Sequence, residues 1–194
     1  MIQKDETRET ITHVAGDLFA RYGYQKTTMD DIARACRKGK SSIYYYFRNK
    51  EEVFLAVLET EIILMRSRIL LAIAESPDPM TKLKTYVLTR MDCIKNLVNI
   101  YNALKNEYLS QFGFIERIRE GYDKEELSII KGILDEGVTG KIFAIEDTHT
   151  TAMALVTAMK GFEIPMFFKE NPEFHFETCL DMLFGVLFYG LVKR

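Results

Sequence analysis

Residues 27 to 50 read Thr-Thr-Met-Asp-Asp-Ile-Ala-Arg-Ala-Cys-Arg-Lys-Gly-Lys-Ser-Ser-Ile-Tyr-Tyr-Tyr-Phe-Arg-Asn-Lys, and no other stretch constrains the fold as much. Each threonine of the opening pair is followed three residues on by an aspartate (Thr27 by Asp30, Thr28 by Asp31). That spacing is a capping box, which opens a helix. Arg37-Lys38-Gly39 then interrupts the apolar pattern and supplies a turn residue. Beyond it, Lys40 to Phe47 places two serines and three tyrosines next to one another. Helix, tight turn and short polar-aromatic helix give the outline of a helix-turn-helix.

That outline has a chemistry. A helix entering a DNA major groove needs short side chains at its start, so that its backbone comes close, and longer donors for phosphates. Lys40, Ser41 and Ser42 meet this need. Consecutive helix positions point about 100° apart, so Tyr44, Tyr45 and Tyr46 cannot all be core, and one or two face outward. Lys50, at the head of the next helix, is placed to meet the phosphate backbone.

Ile32-Ala33, Lys40, Ser42-Ile43-Tyr44-Tyr45-Tyr46-Phe47 and Asn49-Lys50-Glu51-Glu52 together resemble the N-terminal signature of TetR-family transcriptional repressors. With its flanking helices the signature covers roughly the first 60 residues; the rest of the chain fits that family in length and helical pattern only. The resemblance implies DNA contacts at Thr28, Lys40, Ser41, Ser42, Tyr44, Tyr45 and Lys50. The chain departs from the family at Arg37-Lys38-Gly39, where Gly-Val-Ser is common. The turn glycine is displaced by two positions and a core valine becomes lysine. Arg37 is therefore expected in the left-handed conformation, at about 1 kcal/mol, and Arg37 and Lys38 add two cations beside the groove. Gly39-Lys40-Ser41 also resembles the end of a phosphate-binding loop, but Arg34 stands where that motif needs glycine, and a helix is predicted where it needs a strand.

The rest of the 194-residue chain also reads as helical. Ile11, Val14, Ala15, Leu18, Phe19 and Tyr22 recur at steps of three and four, with Gly23 beyond them as a C-cap. Phe19, Ile32, Ala33, Ile43 and Phe47 are the expected core of the first three helices. A long helix is predicted from N-cap Asn49 to about Ser76, ended by Pro77 and Pro79. Others are predicted over 80–109, from 114 to about 120, over 123–136 opening at Asp123, and over roughly 147–162 and 173–193. The chain is all-α, divided into a helix-turn-helix domain over 1–48 and a larger ligand-binding and dimerisation domain over 49–194. No strand pattern or internal repeat is present.

Charge follows the same division. Residues 1–50 hold 10 Lys/Arg against 6 Asp/Glu, and the remainder 16 against 22. A basic end on an acidic body suits a protein that presents one end to a polyanion. Cys36, Cys93 and Cys179 lie far apart in no metal-ligand spacing, so neither a metal nor a cofactor is expected. The charged N-terminus is no signal peptide, and the longest apolar run, Met182 to Val192, is too short for a bilayer. A cytoplasmic location follows.

For the larger domain the resemblance implies a small-molecule effector that weakens binding to a palindromic operator. Met65, Tyr86, Met91, Tyr101, Tyr108, Phe112, Phe114 and Phe143 offer adaptable and aromatic surface for an apolar ligand. Leu155 and Met159, with Leu180, Leu183, Phe184, Leu187, Phe188 and Leu191, make two terminal helices apolar over so much of their circumference that a second copy of the chain is the expected cover. Catalysis is not expected. His13, His149 and His175 lie in separate segments, and no nucleophile or metalloprotease motif occurs.

Overall fold

The computed structural model describes residues 2–97, 99, 113–167 and 176–189, with side chains described over 6–97, 99, 120–161 and 178–186. Tyr101, Tyr108 and Phe112 lie outside these residues, as do the side chains of Phe114, Leu187, Phe188 and Leu191. Among the described residues are eight helices and no strand: α1 (Ile2–Tyr22), α2 (Met29–Ala35), α3 (Lys40–Tyr46), α4 (Lys50–Ala74), α5 (Pro79–Asn96), α6 (Gly113–Thr139), α7 (Thr148–Phe167) and α8 (Phe176–Tyr189).

Local chemistry sets most of the boundaries. Gly23 ends α1 at φ 81°, its N–H donating to the Phe19 carbonyl at 2.9 Å, the left-handed position that favours glycine. Asn49 caps α4, accepting from the Glu52 N–H at 2.8 Å, while the Glu52 carboxylate accepts from the Arg48 N–H at 2.8 Å. Asp78 caps α5 by accepting from the Thr81 N–H at 3.0 Å, with Pro79 in the first helical position, where a missing N–H costs nothing. Asp147 caps α7 through the His149 and Thr150 N–H groups.

The chain forms two compact units. The first comprises Met1–Leu71 with Asp92–Glu120, the second Ala72–Met91 with Gly121–Arg194. In the first, Phe19, Ile32, Ala33, Ile43 and Phe47 are all buried, as their spacing predicts, together with Ile11, Ala15, Val53 and Phe54. The Phe19 and Phe54 rings meet edge to face at 5.0 Å, and Tyr24 closes on Phe54 at 4.9 Å. In the second, Leu83, Tyr86, Ile130, Leu134, Ala152, Val156, Leu180 and Phe184 are buried. Half-exposed ion pairs stitch its helices, Lys84 to Asp181 and Lys160 to Asp123 among them.

Three boundaries differ from the sequence expectation. α5 ends at Asn96, whose side chain turns back to the Asp92 carbonyl at 2.9 Å, and Leu97 is not helical, so the helix expected over 80–109 is interrupted there; residues 98 and 100–109 lie outside the described residues. The segment before Glu120 and the helix expected to open at Asp123 are one 27-residue helix, α6. Gly121 lies inside it in open space, costing about 1 kcal/mol relative to alanine. Asp123 pairs with Lys160 and Glu126 is buried, so neither serves as a helix-start acid. α7 runs through Pro165 to Phe167.

Candidate nucleic-acid interface

The reader is built on two tight connections. At the first, Thr28 caps α2 in a complete capping box. Its hydroxyl accepts from the Asp31 N–H at 3.2 Å, and the Asp31 carboxylate accepts from the Thr28 N–H at 3.0 Å and hydroxyl at 2.6 Å. These hydrogen bonds from Thr28 hold the Asp31 carboxyl below its ordinary range. Thr27 takes no part in the cap. It is buried and donates to the Gly23 carbonyl at 2.9 Å.

The second connection is the turn. The Lys38 N–H reaches the Ala33 carbonyl at 3.0 Å and the Arg37 N–H the Arg34 carbonyl at 3.1 Å. These are the two bonds of a Schellman motif, with Cys36 as C-cap and Arg37 in the position where glycine is usual. Arg37 accordingly sits at φ 52°. Gly39, displaced by two residues, is instead the N-cap of α3 at φ −66°, and α3 has no side-chain cap. The recognition helix nonetheless starts at Lys40, as the sequence suggests.

On α3 the side chains divide cleanly. Ile43 and its C-cap Phe47 are buried, and the Arg8 guanidinium of α1 lies 4.9 Å over the Phe47 ring. Tyr45 and Tyr44 are 68% and 42% exposed, leaving two phenols outward of the three. Tyr46 is half-buried, its ring edge to face with Tyr45 at 5.1 Å. Thr28, Arg37, Lys40 and Ser41 are exposed, and Lys38 and Ser42 partly so.

Two of the expected DNA-contacting lysines are engaged within the chain. Lys40 pairs with Asp30 of α2 at 2.8 Å, which raises its pKa. Lys50 donates to the carbonyls of Tyr24 at 2.8 Å and Thr27 at 2.9 Å, with its ammonium 4.3 Å above the Tyr24 ring. Burial lowers its pKa. Asp30 and Tyr24 are site residues that sequence reasoning passed over. The two overlapping Thr-Asp spacings were the available signal for Asp30: only one can be the cap, and the other aspartate is left for a neighbour.

In the second unit, Tyr86 and Met91 are buried, as is Met65 in the first. The Tyr86 hydroxyl donates to Glu126 at 2.9 Å; burial, then the nearby carboxylate, push its pKa up, so it remains a donor. Glu126 is also ion-paired with Arg90, and all three side chains are at most 2% exposed. The guanidinium lies 5.7 Å from the Tyr122 ring centre. Phe143 packs its ring over Gly137. Met159, Leu180 and Phe184 are buried within the chain, Leu155 and Leu183 half-buried, while Met153, Met182 and Val186 of α7 and α8 are exposed. Among the described residues no cluster of metal-binding side chains occurs, and no helix is long and apolar enough to cross a membrane.

Residues 11–57 match the profile of bacterial regulatory proteins of the tetR family. The HTH-type transcriptional regulator QacR of Staphylococcus aureus is 37% identical over 54 residues, 28% of this chain and 29% of that protein. A transcriptional regulator from Cytophaga hutchinsonii superposes with a TM-score of 0.79 at 27% identity, over 93% of this chain and 95% of that one. A TetR/AcrR-family regulator from Thermobifida fusca does so at 0.74 and 23% identity, over 97% of this chain and 100% of that one. The chain spans under a third of the length of this curated relative, while the structural likeness extends over nearly all of both chains. Residues 11–57 thus form a domain of the tetR family of bacterial regulatory proteins, in a chain that shares its fold with these solved regulators.

Proposed function

We propose that the protein is a homodimeric, cytoplasmic DNA-binding repressor, released from a palindromic operator by a small apolar effector. The observation that carries this reading is the outward face of the reader. Thr28, Arg37, Lys38, Lys40, Ser41, Ser42, Tyr44 and Tyr45 lie on or beside one short helix whose opposite side is core. Residues 1–48 are the reader in this proposal and 49–194 the sensing and dimerising part. Half-sites lie about one DNA turn apart. Lys50 contributes a phosphate contact only by giving up its internal carbonyls.

The dimer contact is assigned to α7 and α8. Met153, Met182 and Val186 present the exposed apolar surface, Leu155 and Leu183 flank it, and Met159, Leu180 and Phe184 back it from inside, with Leu187, Phe188 and Leu191 continuing α8's apolar pattern. For the effector, two proteins sharing the fold suggest where to begin. One is FadR of Bacillus subtilis in complex with stearoyl-CoA, the other AibR in complex with isovaleryl coenzyme A and operator DNA. Acyl thioesters are therefore the first class to test, with Met65, Tyr86, Met91, Tyr101, Tyr108, Phe112 and Phe143 as candidate lining. No residue is assigned a catalytic role.

The test is fluorescence anisotropy with a duplex selected by the protein from random sequence. Lys40→Ala combined with Tyr44→Ala should weaken binding at least tenfold, on the order of 1–3 kcal/mol per lost contact. Affinity should fall steeply between 50 and 200 mM salt, by about 10³-fold or more for six phosphate contacts. Unchanged affinity in the double variant, or a flat salt response, would reject the reading.

A further inference from the structure

Asn99, three residues beyond the end of α5, is 4% exposed. Its amide nitrogen donates to the Glu61 carboxylate of α4 at 2.7 Å and to the Gly16 carbonyl of α1 at 3.3 Å. All of these residues belong to the first compact unit. The amide orientation is forced, because turning it over would set the side-chain oxygen against two acceptors.

The surroundings are shaped for this contact. A Cβ on Gly16 would lie 3.3 Å from a Val57 methyl and 3.9 Å from the Asn99 nitrogen. Val57 and Glu61 are one turn apart on α4, so one face of that helix supplies both the wall and the acceptor. Glycine in the middle of α1 is unfavourable for a helix, yet it lets the α1 backbone approach α4 and Asn99 together. Packing alone would be served by leucine at position 99. Asparagine instead brings a buried side-chain oxygen that meets no donor among the described residues.

We infer that Asn99 is a positioning residue for DNA binding: it fastens α1 of the reader to α4 and to the segment that follows α5. α5 begins in the second unit, and its last residues, Asp92–Asn96, belong to the first. A shift at Asn99 is thus felt at α1 through this side chain. This last step rests on the effector-responsive regulator reading; the tie itself does not.

The experiment uses the full-length chain and two readouts, anisotropy with the selected duplex and amide hydrogen exchange by segment. Asn99→Leu keeps the volume and removes the donor. It should weaken duplex binding roughly tenfold, the usual effect of losing a hydrogen bond to a charged group, and speed exchange across residues 12–22 by a similar factor. Exchange over 83–91 and 126–134, in the second unit, should stay at the wild-type rate. Asn99→Asp, which faces Glu61 with a second carboxylate, should be worse than Asn99→Leu. Adding Glu61→Gln to it returns a donor and should recover most of the loss. Unchanged binding and exchange in Asn99→Leu would overturn the inference, as would a uniform rise of exchange in both units, the mark of a merely structural residue. If the wild-type chain selects no duplex, the regulator reading fails, while the contrast in exchange still decides the tie.

Discussion

Arg37 offers the sharpest test of how this reader tolerates its turn. It occupies the C′ position of a Schellman motif at φ 52°, where a side chain costs about 1–2 kcal/mol and glycine nothing. Arg37→Gly removes that strain. It also gives the unfolded chain more freedom, which takes back about 0.5–1 kcal/mol. The net expectation is a gain of about 0.5–1 kcal/mol, or roughly 1–4 °C in Tm for a chain of this size. Arg37→Ala separates the terms, since it removes the guanidinium and keeps the strain. It should unfold below Arg37→Gly by about 1 kcal/mol. Thermal unfolding at one fixed protein concentration, necessary if the chain dimerises, is the assay. Both variants should bind DNA more weakly and with a shallower salt slope, by about one phosphate contact. An Arg37→Gly protein that melts at or below Arg37→Ala would refute the strain argument.

At Gly137 a Cβ is intolerable for a different reason, because it would overlap the Phe143 ring. Gly137→Ala should cost about 1–3 kcal/mol as an overpacked contact, and pairing it with Phe143→Ala should recover part of that loss in a thermal melt. The buried Arg90–Glu126 pair makes a different prediction. Glu126→Gln leaves the guanidinium without its counter-charge and should cost about 3–5 kcal/mol, whereas Arg90→Met with Glu126→Leu should lie within about 1–2 kcal/mol of wild type or above it; urea denaturation ranks the three, and a double variant as unstable as Glu126→Gln would contradict the desolvation argument.

The reader was legible because its signals are local. A capping box, a turn and alternating core positions on three short helices each act within a few residues, and Phe19, Ile32, Ile43 and Phe47 converge as their spacing demands. Even the fault at Arg37 could be read, since glycine two positions late leaves a non-glycine at the left-handed site. The rest of the chain was less legible for a physical reason. Asp123, Glu125 and Glu126 look like a helix start because sequence cannot show that Arg90, 36 residues before Glu126, neutralises it in the core. Gly121 stands between the two expected segments, yet α6 runs through it. Asn99 gave no signal at all, since its partners Gly16 and Glu61 lie 83 and 38 residues away.

The same distinction explains why counting cations overstates what the reader brings to a phosphate. Lys40 is already bonded to Asp30, and Lys50 to two carbonyls beneath the Tyr24 ring. Each must exchange an existing partner for a phosphate, so each adds less than a fully hydrated lysine would. Asp30 has a second consequence. It holds Lys40 at the head of α3 before DNA arrives, so the side chain loses less rotamer freedom on binding, and a phosphate displacing it must also pass close to a carboxylate. Arg37 and Lys38 follow the turn directly and carry no such carboxylate partner in the described structure. On the proposed DNA-binding function, the Arg37-Lys38-Gly39 turn rather than the head of α3 therefore offers the less committed cations, with Arg37 in the left-handed region.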